Sequence, residues 1–193
     1  ILLPLFAGSL LLMGGQVALR WQRVFSCVAT FLLIPLAVLL VQKADSGLLF
    51  SYALGNWQAP FGIALLLDRL SALLLLLTAV LAGFALIYAC RGDDQRGPSF
   101  HALFQFQLLG INGAFLTADL FNLFVFFEIL LIASYSLLLH GNGRPRVAAG
   151  LHYVVLNLFG SALFLIALGV FYGVAGTLNM ADLAHKVAQA NAE

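Results

Sequence analysis

The stretch LFNLFVFFEILLIASYSLLLH, Leu120 to His140, carries one charged residue, Glu128. At about 1.5 Å of rise per residue it is long enough to cross about 30 Å of hydrocarbon as a helix. Glu128 lies eight residues from the start, so it sits about 12 Å deep, close to the midplane. A lone acid there costs about 2.5–3.5 kcal/mol on insertion scales, so it must face protein or water. Such a residue marks a candidate ion path. The rival reading is a neutral acid hydrogen-bonded to a neighbouring helix.

The rest of the chain agrees with a bilayer setting. Of 193 residues, 63% are hydrophobic and 9% charged, and the mean hydropathy is +1.04. A soluble domain is about 25% charged, so soluble enzymes, disordered tails and nucleic-acid binders are excluded. Runs without Asp, Glu, Lys or Arg cover Ile1–Leu19, Val24–Gln42, Leu70–Cys90, Gly97–Ala118 and Val147–Ala181. With Leu120–His140 they predict six transmembrane helices in an all-α integral membrane fold. Ser46–Leu67 is also charge-free but holds Gly47, Gly55, Asn56, Pro60 and Gly62, and reads as an outer loop with a re-entrant segment as the alternative.

Arginines orient the bundle. Arg20, Arg23, Arg91, Arg96, Arg144 and Arg146 fall in loops on one side of a six-span alternation, against Lys43, Arg69 and Lys186 on the other. The arginine side is therefore expected in the cytoplasm and residue 1 outside. After helix 6, Asn179 is a candidate cap for a short amphipathic helix with Met180, Leu183, Ala184 and Val187 on one face. The chain opens on Ile1 without a basic leader and is expected to be a segment of a longer protein. Cys27 and Cys90 show no metal or redox spacing and read as packing or lipid-facing thiols; no cofactor or metal is expected.

Other polar residues on these helices are second-rank candidates. Asp68 opens helix 3, where it is either an N-cap or the start of a polar stripe with Ser71 and Thr78. His101, Gln105 and Asn112 share one face of helix 4, suited to a water chain or to interhelical hydrogen bonds. In helix 6, Asn157 and Ser161 share a face, and His152 stands near the cytoplasmic end as a proton-exchange candidate or a plain interfacial polar residue. Gly169 and Gly173 form a Gly-x-x-x-Gly packing pair, and Asp119 with Asn122 beside it is a cap for helix 5.

The stretch Phe121–Leu131 around Glu128 resembles the glutamate-bearing fifth helix of antiporter-like membrane subunits, and Leu67-Asp68-Arg69-Leu70-Ser71 resembles the opening of their third. Gly150–Leu158 and Gly176–Ala184 are similar to the D-type subunit of bacterial multi-subunit Na⁺/H⁺ antiporters of the Mrp or Pha type. The resemblance implies a subunit of about fourteen helices built on two inverted five-helix repeats. Residues 1–90 would then be three leading helices with an outer loop near 43–67, and residues 91–193 helices 4–6 of the first repeat plus a surface helix. It further implies that Glu128 pairs with a lysine on a seventh helix, beyond residue 193. His152, where complex I relatives tend to have lysine, and Arg69 after Asp68 favour the antiporter branch.

Together these features predict a proton-translocating subunit of a monovalent cation/proton antiporter, a transporter part rather than an enzyme, in the bacterial inner membrane. Glu128 would be the proton carrier, Asp68, His101 and His152 further relay residues, and Gln105, Asn112, Asn157 and Ser161 supporting polar groups. Partners would be the other antiporter subunits, protons, Na⁺ (or K⁺ or Li⁺) and lipid, with no nucleic acid. One alternative is a proton-pumping subunit of respiratory complex I or a membrane hydrogenase. The other is a non-conducting scaffold.

Overall fold

A computed structural model describes residues 1–15, 17–57, 62–97, 99–141 and 143–190. Its helices are α1 (Leu2–Met13), α2 (Leu19–Asp45), α3 (Arg69–Ala89), α4 (Phe100–Leu116), α5 (Leu120–Leu138), α6 (Arg144–Ala175) and α7 (Met180–Ala190). Four of them, α2, α3, α5 and α6, are long and apolar enough to cross a membrane. The segment is membrane-embedded. α1 stops at Met13 rather than at Leu19, because Gly14 and Gly15 favour a turn over another helical turn. At 17 residues, α4 is about 25 Å long.

The loop between α2 and α3 holds an antiparallel hairpin, β1 (Phe50–Ala53) and β2 (Ala64–Leu67), with Phe50 opposite Leu67 and Ala53 opposite Ala64. This is the one departure from an all-helical chain among the described residues. Gly55 and Asn56, at φ of 65° and 59°, turn the chain as it leaves β1. Pro60 lies outside the described residues. Leu65 bridges Thr117, and the Ala118 N–H donates to the Ala64 carbonyl at 2.9 Å. Beyond it, Met180 donates to Ala118 and Leu120 to Leu178, each at 2.9 Å. The hairpin, the α4–α5 turn and the start of α7 are thus tied together at one end of the bundle.

Arginines gather at the other end. Arg23 reaches the turn after α3, while Arg96 and Arg146 both lie against Gly141. α6 ends at Ala175, short of the expected Ala181, because Gly176 turns the chain in the left-handed region at φ 66°; α7 follows. The Asn179 side-chain oxygen accepts from the Ala181 and Asp182 N–H groups at 3.2 Å, so α7 is capped where the sequence indicated.

α4 is the hub, packing against α1, α2, α3 and α5. Leu33, Ala37, Leu75, Ala79, Ala82 and Leu108 form the main core between α2, α3 and α4. α6 packs mainly on α5 and α7. Its apolar side chains, such as Leu156 at 72% and Phe159 at 66% exposure, face away from the chain, as lipid or further helices require. Gly169 and Gly173 meet nothing within 4 Å, so their packing pair has no partner among the described residues.

Candidate functional site

Two glycines set the position of Glu128. A Cβ on Gly110 would lie 2.7 Å from the Leu130 nitrogen, and one on Gly113 would collide with the Phe126 ring. Only glycine lets α5 approach α4 this closely. Phe126 and Leu130 therefore seat α5 on α4. At 100° per residue, Glu128 between them projects to the opposite side of α5. There it is half-buried, and its Oε1 is buried with no hydrogen-bond partner among the described residues. The neutral acid bonded to a nearby helix is not found for this atom.

α5 and α6 run antiparallel. Tyr135 packs edge-on to Tyr153 at 5.5 Å between centroids, and Phe127 contacts Phe164 at 6.4 Å. This register puts Ser161 level with Glu128 and Asn157 about one turn nearer the arginine-rich end. Both are half-buried on the side of α6 that faces α5; the Asn157 side chain donates to the Tyr153 carbonyl at 2.8 Å. Further along, Ser134 Oγ and Tyr153 OH lie 3.3 Å apart in a cleft of about 520 Å³ also lined by Phe104 and Gln107. Gln107 Oε1 is buried there without a partner among the described residues. His152 is exposed, and its Nδ1 donates to the Ala148 carbonyl of its own helix at 2.9 Å.

A second polar cluster lies between α2, α3 and α4 at the arginine-rich end. Arg23 grips Asp94 with two bonds, Nε to Oδ2 at 2.5 Å and Nη2 to Oδ1 at 2.8 Å. His101 Nε2 lies 3.2 Å from Asp94 Oδ2, and both side chains are fully buried. Burial alone pushes the Asp94 carboxyl up, but the bonds from Arg23 and His101 outweigh it and hold the group below the usual carboxylate range. One turn along α4, Gln105 donates to Thr30 Oγ1 at 2.9 Å and Ser26 Oγ at 3.2 Å. The His101 and Gln105 stripe thus faces α2 as an interhelical network. Asn112 continues the stripe into a mostly apolar cavity of about 880 Å³ between α1, α2, α3 and α4.

Asp68 is found as the N-cap of α3. Its Oδ1 accepts from the Ser71 N–H at 2.7 Å while its own N–H donates to Ser71 Oγ at 3.0 Å. The Ser71 backbone and hydroxyl bonds hold its carboxyl below the ordinary range. Asp119 caps α5 in the same way, accepting from Asn122 N–H at 2.9 Å.

Sequence reading missed Arg23 and Asp94 as a pair, because both looked like solvated loop charges. Cys27 and Cys90 are both free and half-buried, and they lie near one another. Burial pushes the Cys90 thiol up to about 11, and the nearby Cys27 adds to the shift. No spacing in the sequence announces either contact, since each joins α2 to the end of α3.

Residues 117–193 match the family described as NADH:quinone oxidoreductase/Mrp antiporter, TM. A D-type subunit of a probable K⁺/H⁺ antiporter from Rhizobium meliloti is 51% identical over 97% of the chain and 36% of its own length. The D-type subunit of a Na⁺/H⁺ antiporter from Bacillus subtilis is 41% identical over 98% of the chain and 38% of its own length. This chain is homologous to D-type antiporter subunits. It spans little more than a third of these relatives. Among solved structures, an archaeal membrane-bound sulfane sulfur reductase superposes at TM-score 0.89, with 32% identity over 96% of this chain and 38% of that one. The Mrp complex from Dietzia sp. DQ12-45-1b follows at 0.85, with 29% identity over 97% and 37%. The antiporter-like resemblance drawn from the helix around Glu128 agrees with these matches.

Proposed function

We propose that the chain is the leading part of an ion-translocating subunit in a multi-subunit monovalent cation/proton antiporter, with Glu128 as its proton-carrying acid. The observation that carries this is the Oε1 of Glu128, buried and without a partner among the described residues, in the middle of an apolar helix homologous to antiporter subunits. A half-buried acid whose covered oxygen has no partner among the described residues is free to take a proton and to release it when a mobile cationic group approaches. Within the full subunit that group is a lysine on a later helix. The Ser134, Tyr153, Asn157 and Ser161 groups lead from the arginine-rich end towards the carboxyl. The His101–Asp94 pair and His152 serve proton exchange at that end, Gln105 and Asn112 support α4, and Asp68 holds the outer end of α3.

The subunit works in a bacterial inner membrane with its arginine loops cytoplasmic and residue 1 outside, beside the other antiporter subunits. Residues 1–90 form the leading helices, and residues 91–193 open the first repeat. The exchanged cation is Na⁺ or K⁺, the ions in the two relatives' names. It is a secondary transporter part, not an enzyme. A second reading, a subunit of an electron-driven respiratory pump, is favoured by the fold's likeness to the sulfane sulfur reductase complex.

Cation-dependent collapse of a preformed proton gradient in everted vesicles separates these readings. The complete complex is compared with Glu128→Gln at equal assembly, with and without electron donor. Exchange without donor that is lost in Glu128→Gln supports the antiporter. Proton movement that requires donor supports the pump, and exchange retained in Glu128→Gln removes Glu128 from the path.

A further inference from the structure

The inner polar cluster has the donor chemistry of a metal site. Cys90 Sγ, a carboxylate oxygen of Asp94 and a ring nitrogen of His101 all lie within 4.8 Å of one another. Cys27, on α2, lies near enough to Cys90 to raise its thiol pKa but is not one of this group. Thiolate, imidazole and carboxylate together match zinc among the available divalent ions, whereas magnesium and calcium prefer all-oxygen shells.

The spacing fits as well as the chemistry. Two ligands held at about 2.0–2.1 Å on a tetrahedral zinc ion stand about 3.3 Å apart. Asp94 Oδ2 and His101 Nε2 already stand 3.2 Å apart, with both side chains fully buried and so held in place. The metal would replace the Nε bond of Arg23 to Oδ2, while the Nη2 bond to Oδ1 at 2.8 Å remains. A bound carboxylate steadied through its other oxygen is how such ligands are usually oriented. Cys90, at the end of α3 and half-buried, has its Sγ within 4.8 Å of both other donors, and a thiolate is the strongest zinc ligand in the set. Access is from the arginine-rich end, where the Arg23 side chain is 30% exposed.

We propose that Cys90, Asp94 and His101 form a three-ligand binding site for zinc or a similar thiophilic divalent cation, with water completing the shell. Its ligands come from the end of α3, the turn after it, and α4, so an ion there clamps α3 to α4 at the end where protons would be taken up. The site stands whether or not Glu128 carries protons. Zinc inhibition of exchange is its functional consequence if the antiporter reading holds.

The test uses the complete complex, purified under reducing conditions and titrated with cadmium as a spectroscopic probe and with zinc by equilibrium dialysis. The site predicts an ultraviolet thiolate–cadmium band that disappears in Cys90→Ser. Zinc affinity should fall by about tenfold or more in Cys90→Ser. Cys90→Ser without metal should exchange normally and resist zinc. A band that persists undiminished in Cys90→Ser, or no band in the unaltered complex, overturns the proposal. Failure of Glu128→Gln to affect exchange leaves the binding result standing, so the two claims fail separately.

Discussion

Replacing Asp94 by Asn tests whether the inner cluster is a true structural joint. Asp94 is fully buried and accepts two bonds from Arg23, at 2.5 and 2.8 Å, besides its 3.2 Å contact with His101. Breaking one side of a buried ion pair costs about 3–5 kcal/mol, because the other charge is stranded. Here the Arg23 side chain is 30% exposed and regains some water, so the cost falls to about 2–3 kcal/mol. The measurement is unfolding of the purified complex in graded denaturing detergent, for Asp94→Asn, Arg23→Gln and the double variant. If the pair acts as a unit, the double variant loses much less than the sum of the singles, with coupling of about 1.5 kcal/mol or more. An Asp94→Asn variant within about 0.5 kcal/mol of the unaltered protein, or additive effects, would refute the reasoning.

Three further outcomes follow from the same geometry. Gly110→Ala sets a Cβ 2.7 Å from the Leu130 backbone, which no side-chain rotation relieves. It should cost about 1–3 kcal/mol in the same unfolding assay and, by shifting α5, depress exchange. Asp68→Ala removes the side-chain half of the α3 capping box, the bond from the Ser71 N–H, and should cost about 0.5–2 kcal/mol, with Asp68→Asn retaining most of the stability in the same assay. Because the Asp94 carboxyl lies below its ordinary range in the fold, its stabilisation is complete above the unfolded value of about 3.9. It is lost as pH falls through the lowered folded value, so thermal scans should show acid destabilisation that is reduced in Asp94→Asn.

Hydropathy and charge were enough to read the membrane class, the arginine-rich end and the cap of α7. They work because a bilayer demands long apolar runs and punishes stray charge. The hairpin between α2 and α3 was not legible, since strand pairing depends on β2 and the α4–α5 turn meeting in space. α1 was read too long because Gly14 and Gly15 carry no charge, and a charge-free run takes no account of backbone preference. Glu128 stood out in the sequence as a lone acid in apolar surroundings, and the structure leaves it half-buried with one carboxyl oxygen covered. The Arg23–Asp94–His101 joint was not, because its members are distant in sequence and two of them resemble ordinary loop charges. Gly110 and Gly113 were also overlooked, in favour of Gly169 and Gly173, whose spacing is the better-known packing signal.

The central claim is that the Glu128 carboxyl gains and loses a proton during exchange. Infrared difference spectra of the complete complex in membranes, recorded on switching from cation-free to cation-rich buffer, read this directly. The account predicts a carbonyl-stretch change from a protonated carboxylic acid that vanishes in Glu128→Gln while assembly stays intact. A carboxylic-acid signal unchanged by that substitution would contradict it, and would leave Glu128 a fixed, buried acid.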